Sequence, residues 1–415
     1  MKTGIAYLAL LATGVVGFLA LSPREHGPRL ATLTSRLDVH GMPAPELGHD
    51  ERDAWPGPDP HEAPTLTGIA PIESNFDRAG HIKQRDSLPR RDADPVGAFR
   101  FVCQPGQLNW DDPIVYPGQP NASPHLHQWF GNTAANALST YASLRREGDS
   151  TCMGPLNRSA YWMPAMIAGE TQVVRPDLLF VYYKRFPESS TECALVARRC
   201  LGLPHGLRYI FGYDMGRLGK RQPETTRRLR WKCVAPNNRL RGDEAGDFSS
   251  FDCPAGHTLV VTLSAPDCWD GRNLDSADHR SHMAHMYYDG TRALPRCPST
   301  HPYHVPQFTL GASWRIEPGD DLSNWWLASD RMPGQPAMPS GSTFHSDWFG
   351  AWDPQAMDAW TRHCIDEKYS CISGELGDGT GLRQASGFTA KVEPRLVPVP
   401  PRAQGDGHSH GHSSP

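Results

Sequence analysis

Three segments of the chain place imidazoles beside carboxylates or beside each other, the combination that binds transition metals or moves protons. In Ser123-Pro124-His125-Leu126-His127 the two histidines are two residues apart. An extended backbone turns such residues to one side, so both rings can face one ion. A second run, Cys268-Trp269-Asp270-Gly271 through Asp278-His279-Arg280-Ser281-His282, spaces His279 and His282 three apart and supplies Asp270 as an orienting acid or base. Its Asp270, Asn273, Asp275 and Asp278 also offer oxygen ligands for calcium, without an EF-hand pattern. The third run, Phe344-His345-Ser346-Asp347-Trp348, adds His345 as a ligand and Asp347 as a general base. Each has a plainer reading as ordinary turn or hydrogen-bond chemistry. Convergence of the three would make a metal site of His125, His127, His279, His282 and His345, with Asp270 and Asp347 as catalytic groups. Zinc would support hydrolysis, copper oxidation.

Other chemistries lose their local support. The sequence contains no H-E-x-x-H, P-loop, G-x-G-x-x-G or G-x-S-x-G pattern. With 41 basic and 45 acidic residues the net charge is −4, which gives no global case for nucleic-acid binding. Trp129, Trp269, Trp348 and Trp352 lie beside the polar runs, where they could stack on sugars or fill the core. That leaves a non-enzymatic carbohydrate-binding or surface module as the competing function.

The elements that must hold these groups are short. Runs such as 178–183, 208–213, 257–263 and 308–316 are β-branched or aromatic and bounded by turn formers. The 39 Gly and 39 Pro argue against long helices. The expected class is mainly β, an antiparallel sandwich or jelly-roll-like fold with a few short helices and long disulfide-pinned loops. One helix is expected over 133–147 with Thr133 as cap, and another after the Asp353-Pro354 cap.

The ten cysteines form no C-x-x-C and read as up to five disulfides, with local bridges Cys193–Cys200 and Cys364–Cys371 the natural guesses. Residues 1–22 read as a signal peptide or membrane anchor, so the rest is expected to be extracytoplasmic and to meet a membrane only through that segment. Residues 23–96 and 396–415 are Pro-rich and read as a disordered linker and tail, the tail carrying His408, His410 and His412 as weak metal binders. One domain is expected over 97–395. Of 19 histidines, eleven fall inside it.

The motifs D-P-I-V-x-P-G (from Asp112) and S-x-H-x-H-x-x-x-G (from Ser123), followed by C-W-D-G, D-H-x-x-H and H-x-D, resemble a family of secreted fungal and bacterial proteins of unknown function. The resemblance spans about 100–365. Asn157-Arg158-Ser159 replaces the family's D-K-S, and His345-Ser346-Asp347-Trp348 its H-G-D-F. No agreed activity comes with it, so a cell-envelope or cell-wall polysaccharide remains the expected partner only by compartment.

Overall fold

The computed structural model describes residues 69–222, 228–290, 294–372 and 374–402. The expected signal or anchor, residues 23–68 of the linker and the His408, His410, His412 cluster lie outside them. Among the described residues no helix is long and apolar enough to cross a membrane.

Eleven strands build two antiparallel sheets, and in chain order they are β1 (Gly97–Cys103), β2 (Pro105–Asn109), β3 (His127–Gly131), β4 (Ala160–Pro164), β5 (Leu178–Arg185), β6 (Arg208–Gly212), β7 (Leu229–Val234), β8 (Leu240–Ala245), β9 (Thr258–Ser264), β10 (Gln307–Arg315) and β11 (His345–Phe349). One sheet runs β8-β7-β9-β10-β5-β1, the other β6-β11-β4-β3-β2. The mainly β expectation holds, with only short helices besides. Each of the four strand runs read from the sequence is a strand here.

The two sheets face each other through aromatic rings. Phe308 of β10 packs against Tyr161, Tyr209 and Trp348 of the five-stranded sheet at centroid distances of 6.4, 5.9 and 5.3 Å. The Tyr161 and Tyr183 hydroxyls share a hydrogen bond of 3.0 Å across the same interface. Burial of such rings is the main apolar driving force for the two layers.

Strand periodicity then fixes the opposite face. Since Tyr161, Tyr209 and Trp348 point inward, the alternate residues Trp162, Ile210 and Asp347 point outward. Register places Asp347 opposite Trp162 and Ile210, and Trp129 opposite Trp162. This outer face is nevertheless dry: Ile114, Trp129, Leu144, Trp162, Ile210 and Phe349 form a second buried cluster on it. Trp129 stacks on Trp162 at 4.5 Å and 19°. His127, two residues before Trp129, and His345, two before Asp347, share the same face.

All ten cysteines are paired: Cys103–Cys152, Cys193–Cys200, Cys233–Cys253, Cys268–Cys297 and Cys364–Cys371. Both expected local bridges form. Cys268–Cys297, with a sequence separation of 29, closes the largest loop after Cys103–Cys152. Chain entropy alone credits such a bridge with roughly 3–4 kcal/mol.

Several boundaries differ from the sequence reading. The helix expected over 133–147 is shortened to Tyr141–Arg146, capped by Thr140 rather than Thr133. Asn132 and Asn136 explain the loss, because their side chains accept from the N–H groups of Ala134 and Leu138 and hold the preceding stretch in turns. The Asp353 cap is as expected, accepting from Ala356 N at 3.1 Å. The described end of the Pro-rich linker is ordered on the domain. Ile82–Gln84 pairs with Thr380–Leu382, Ser74 Oγ donates to Asp353, and Arg158 donates to the Asn75 side chain. At the other end Leu396–Pro398 pairs with Gln172–Val174. Low local hydrophobicity hid these segments because backbone ladders and single side chains hold them.

One pH dependence follows from the core. His304 is buried on the short strand Tyr303–His304, with Nδ1 3.1 Å from the Asp267 carbonyl, and burial pushes its pKa from 6.5 down to about 3. An unfolded chain binds that proton near pH 6.5, the folded one only near 3, so this contribution to stability is complete above the first value and is lost as pH falls toward the second. In urea titrations at pH 7, 5.5 and 4.5, His304→Asn should flatten the fall in midpoint relative to wild type. An unchanged slope would show that His304 is not held neutral.

Candidate metal centre

His125, His127 and His345 meet. His125 Nε2 lies 3.0 Å from His127 Nε2 and 3.2 Å from His345 Nε2. All three side chains are at most 5 % exposed. β3 contributes His127, β11 contributes His345 two strands away across β4, and the loop entering β3 contributes His125.

Hydrogen bonding determines which nitrogen faces inward. His127 Nδ1 donates to the Asp111 carbonyl at 2.9 Å, and His345 Nδ1 donates to the Thr343 carbonyl at 2.9 Å. A carbonyl only accepts, so each Nδ1 carries the hydrogen of a neutral ring and each Nε2 presents a lone pair. His125 Nε2 can hold at most one hydrogen. It can therefore satisfy one neighbour, and the other short contact sets lone pair against lone pair. A cation between the three nitrogens removes that conflict. Four tetrahedral ligands about 2.0–2.1 Å from zinc stand roughly 3.3–3.4 Å apart, close to the spacing seen here.

The electrostatics agree with neutral rings. Burial pulls the His125 pKa well below its ordinary value, and charge on His127 or His345 would lower it further. Burial, with His127 and Arg280 nearby, lowers His345 to about 3 against the opposing bond to Thr343. His127 is lowered by burial, partly offset by Asp112.

Two carboxylates flank the cluster. Asp112, His127 and Asp347 bring one potential ligand atom each within 4.8 Å of one another, and the three histidines form a second such group through His127. These buried His and Asp groups could hold a metal ion. Asp112 Oδ1 accepts from the N–H groups of Ile114 and Val115, both at 2.9 Å, which ties the D-P-I-V turn to the site. Asp347 is 1 % exposed, and its Oδ2 has no hydrogen-bond partner among the described residues. Burial, reinforced by Asp112 and opposed by Arg280, raises its pKa well above the carboxylate range.

The second run does not join them. His282 Nε2 donates to the Arg208 carbonyl at 2.9 Å and its Nδ1 pairs with Ser276 Oγ at 2.8 Å. His279 Nδ1 is 2.9 Å from Asp275 Oδ1. Asp270 accepts from Arg272 N, Asn273 N and Asn273 Nδ2, the bonding pattern of a turn former, and is not among the acids that gather with the histidines. The calcium reading finds no support either: Asp270 and Asp278 accept from donors in their own loop, Asp275 accepts from Arg208 and Ser276 N, and among the described residues these acids do not gather into a ligand group. What this loop does is cover β6, the edge strand of the five-stranded sheet. Arg208 N donates to Leu274 O at 3.0 Å and Ile210 N to His279 O at 2.9 Å, so the loop satisfies backbone groups that an edge leaves open. His282→Ala is accordingly expected to cost about 1–3 kcal/mol in urea unfolding, with metal content unchanged. Loss of the metal would return His282 to the ligand set.

The four tryptophans considered for sugar stacking are core: Trp129, Trp269, Trp348 and Trp352 are exposed by 0, 3, 1 and 2 %. Sequence reasoning missed the parts played by Asp111, Asp112 and Thr343. Asp112 opens a motif and could have been singled out; a carbonyl acceptor carries no residue-type signal at all.

Residues 112–352 match the family model of the domain of unknown function DUF1996. The chain belongs to this family. The match begins at Asp112 and closes just beyond β11, so it brackets the three histidines and both carboxylates. No curated protein and no solved structure matches the chain.

Proposed function

We propose that this is an extracytoplasmic metalloprotein in which the Nε2 atoms of His125, His127 and His345 bind one zinc or copper ion. The carrying observation is the pair of 3.0 and 3.2 Å nitrogen contacts between rings whose tautomers are set by two carbonyls. A zinc ion held by the three imidazoles would keep a coordination position for water and would lower the pKa of that water toward 7. Asp347, whose Oδ2 has no hydrogen-bond partner among the described residues, is the group placed to exchange a proton there. Hydrolysis of an envelope or cell-wall polymer is the reaction class this set serves; with copper it would be an oxidation. The five disulfides support placement in an oxidising compartment. Burial of the four tryptophans removes the feature that favoured a glycan-binding module.

The test is elemental analysis of the full chain with His408, His410 and His412 replaced by alanine, after equilibration with zinc or copper and removal of free ion. About one ion per chain is expected. No bound metal under either condition would refute the proposal.

A further inference from the structure

We infer that Asp330 is a positioning residue for the metal centre, acting through Thr343 on His345. The inference rests on the metal reading above. Asp330 is fully buried, in a segment without regular structure that leads from Trp325–Leu327 to β11. Its Oδ1 accepts from Thr343 N at 3.2 Å and Thr343 Oγ1 at 2.7 Å, and its Oδ2 accepts from Leu327 N at 2.8 Å and Gly341 N at 2.7 Å. Thr343 Oγ1 spends its one hydrogen on Asp330, so Ser329 Oγ must donate to it across 2.6 Å. Both backbone polar groups of Thr343 are thereby engaged: the N–H by Asp330, the C=O by His345 Nδ1.

This matters because the Thr343 carbonyl selects the His345 tautomer. If that carbonyl rotates away, His345 is free to place its hydrogen on Nε2 and to turn, and the nitrogen facing His125 ceases to be a ligand. A fixed second partner for a metal-binding imidazole is worth roughly 10–100-fold in affinity. His127 is served differently, by the carbonyl of Asp111, whose side chain accepts from Asn121 N at 2.7 Å and Ala137 N at 3.3 Å. Two buried aspartates thus brace the two carbonyls that aim the two strand-borne ligands.

The experiment compares full-length wild type with Asp330→Asn, Thr343→Val and, as a control for destabilisation alone, Asp353→Asn, whose carboxylate is buried but binds Arg145 and Ser74. Asp330→Asn puts an NH2 group against donors on one side, and is expected to weaken zinc binding about 10–100-fold and alter the visible absorption of the cobalt(II) form. Thr343→Val should move both readouts in the same direction by less. Asp353→Asn should lower the urea midpoint with affinity and cobalt spectrum unchanged. If Asp330→Asn does not fold, Thr343→Val decides. A folded Asp330→Asn or, failing that, a Thr343→Val with wild-type affinity and spectrum overturns the inference. Wild type that binds none of zinc, cobalt and copper overturns the metal reading itself, an outcome distinct from binding that ignores the variants.

Discussion

Replacing His127 or His345 by alanine is expected to abolish stoichiometric metal binding while leaving the two sheets folded. Structural zinc sites release roughly 10–16 kcal/mol on binding, so one of three protein ligands carries about 3–5 kcal/mol, a loss of roughly a hundredfold to several thousandfold. Each ring is 3 % exposed or less and approaches His125 Nε2 within 3.2 Å, so no neighbouring imidazole stands ready to replace it. The apo state should respond oppositely. Removing either outer ring relieves a contact between lone pairs, and the apo protein should lose less stability than the cavity alone would cost. Competition titration with a chromophoric chelator measures the first effect and urea unfolding in excess chelator the second. Unchanged affinity in both variants would mean that the ion sits elsewhere.

The largest expected effect on stability lies outside the site. Arg145, on the short helix Tyr141–Arg146, is fully buried, as is its partner Asp353. The guanidinium donates to the Ile72 carbonyl at 2.9 Å, the Ala351 carbonyl at 3.1 Å and Ser74 Oγ at 2.9 Å, and Nη2 is 3.4 Å from Asp353 Oδ2. One side chain therefore joins the amino-terminal strap, the helix cap at Asp353 and the turn after β11. Arg145→Ala leaves a buried carboxylate without its counter-charge and takes the guanidinium donors from three acceptors. Breaking a buried pair in this way costs about 3–5 kcal/mol, a large share of the stability of an ordinary domain. A drop of that size in urea-extrapolated stability, with easier proteolysis around residues 72–75, is expected. A loss under about 1 kcal/mol would mean that the pair behaves like a surface ion pair. Arg145→Lys should not restore it, because one ammonium cannot reach four acceptors held in a planar fork.

How much of this is legible without coordinates depends on how local each feature is. The His125 and His127 pair follows from a period of two along an extended chain, and the Asp353-Pro354 cap from residue chemistry within one turn. The bridges Cys193–Cys200 and Cys364–Cys371 form across a sequence separation of 7, where few alternatives exist. The strands over 178–185 and 258–264 announce themselves by composition. By contrast Asn132 and Asn136 break a stretch whose apolar spacing looks helical, because a side chain can compete for the backbone N–H groups a helix would need.

Sorting the five histidines required the tertiary structure. His282 and His345 look equally suited in the sequence, each near an aspartate and a tryptophan. The difference is where their nitrogens go: both nitrogens of His282 end on partners within its own loop and the neighbouring edge strand, whereas His345 spends only Nδ1. His345 reaches His125 across a separation of 220 residues because β11 is laid beside β4 and β4 beside β3. Sheet order is a cooperative outcome of how two apolar faces are buried together, and no short segment encodes it. The sequence by itself determined the ligand types, the local pair, the disulfide-rich β class and the caps. The tertiary structure decided which third imidazole joins the pair, which nitrogens face one another and which carboxylate oxygen beside them has no partner among the described residues, since each depends on atoms brought within a few ångströms by strand register.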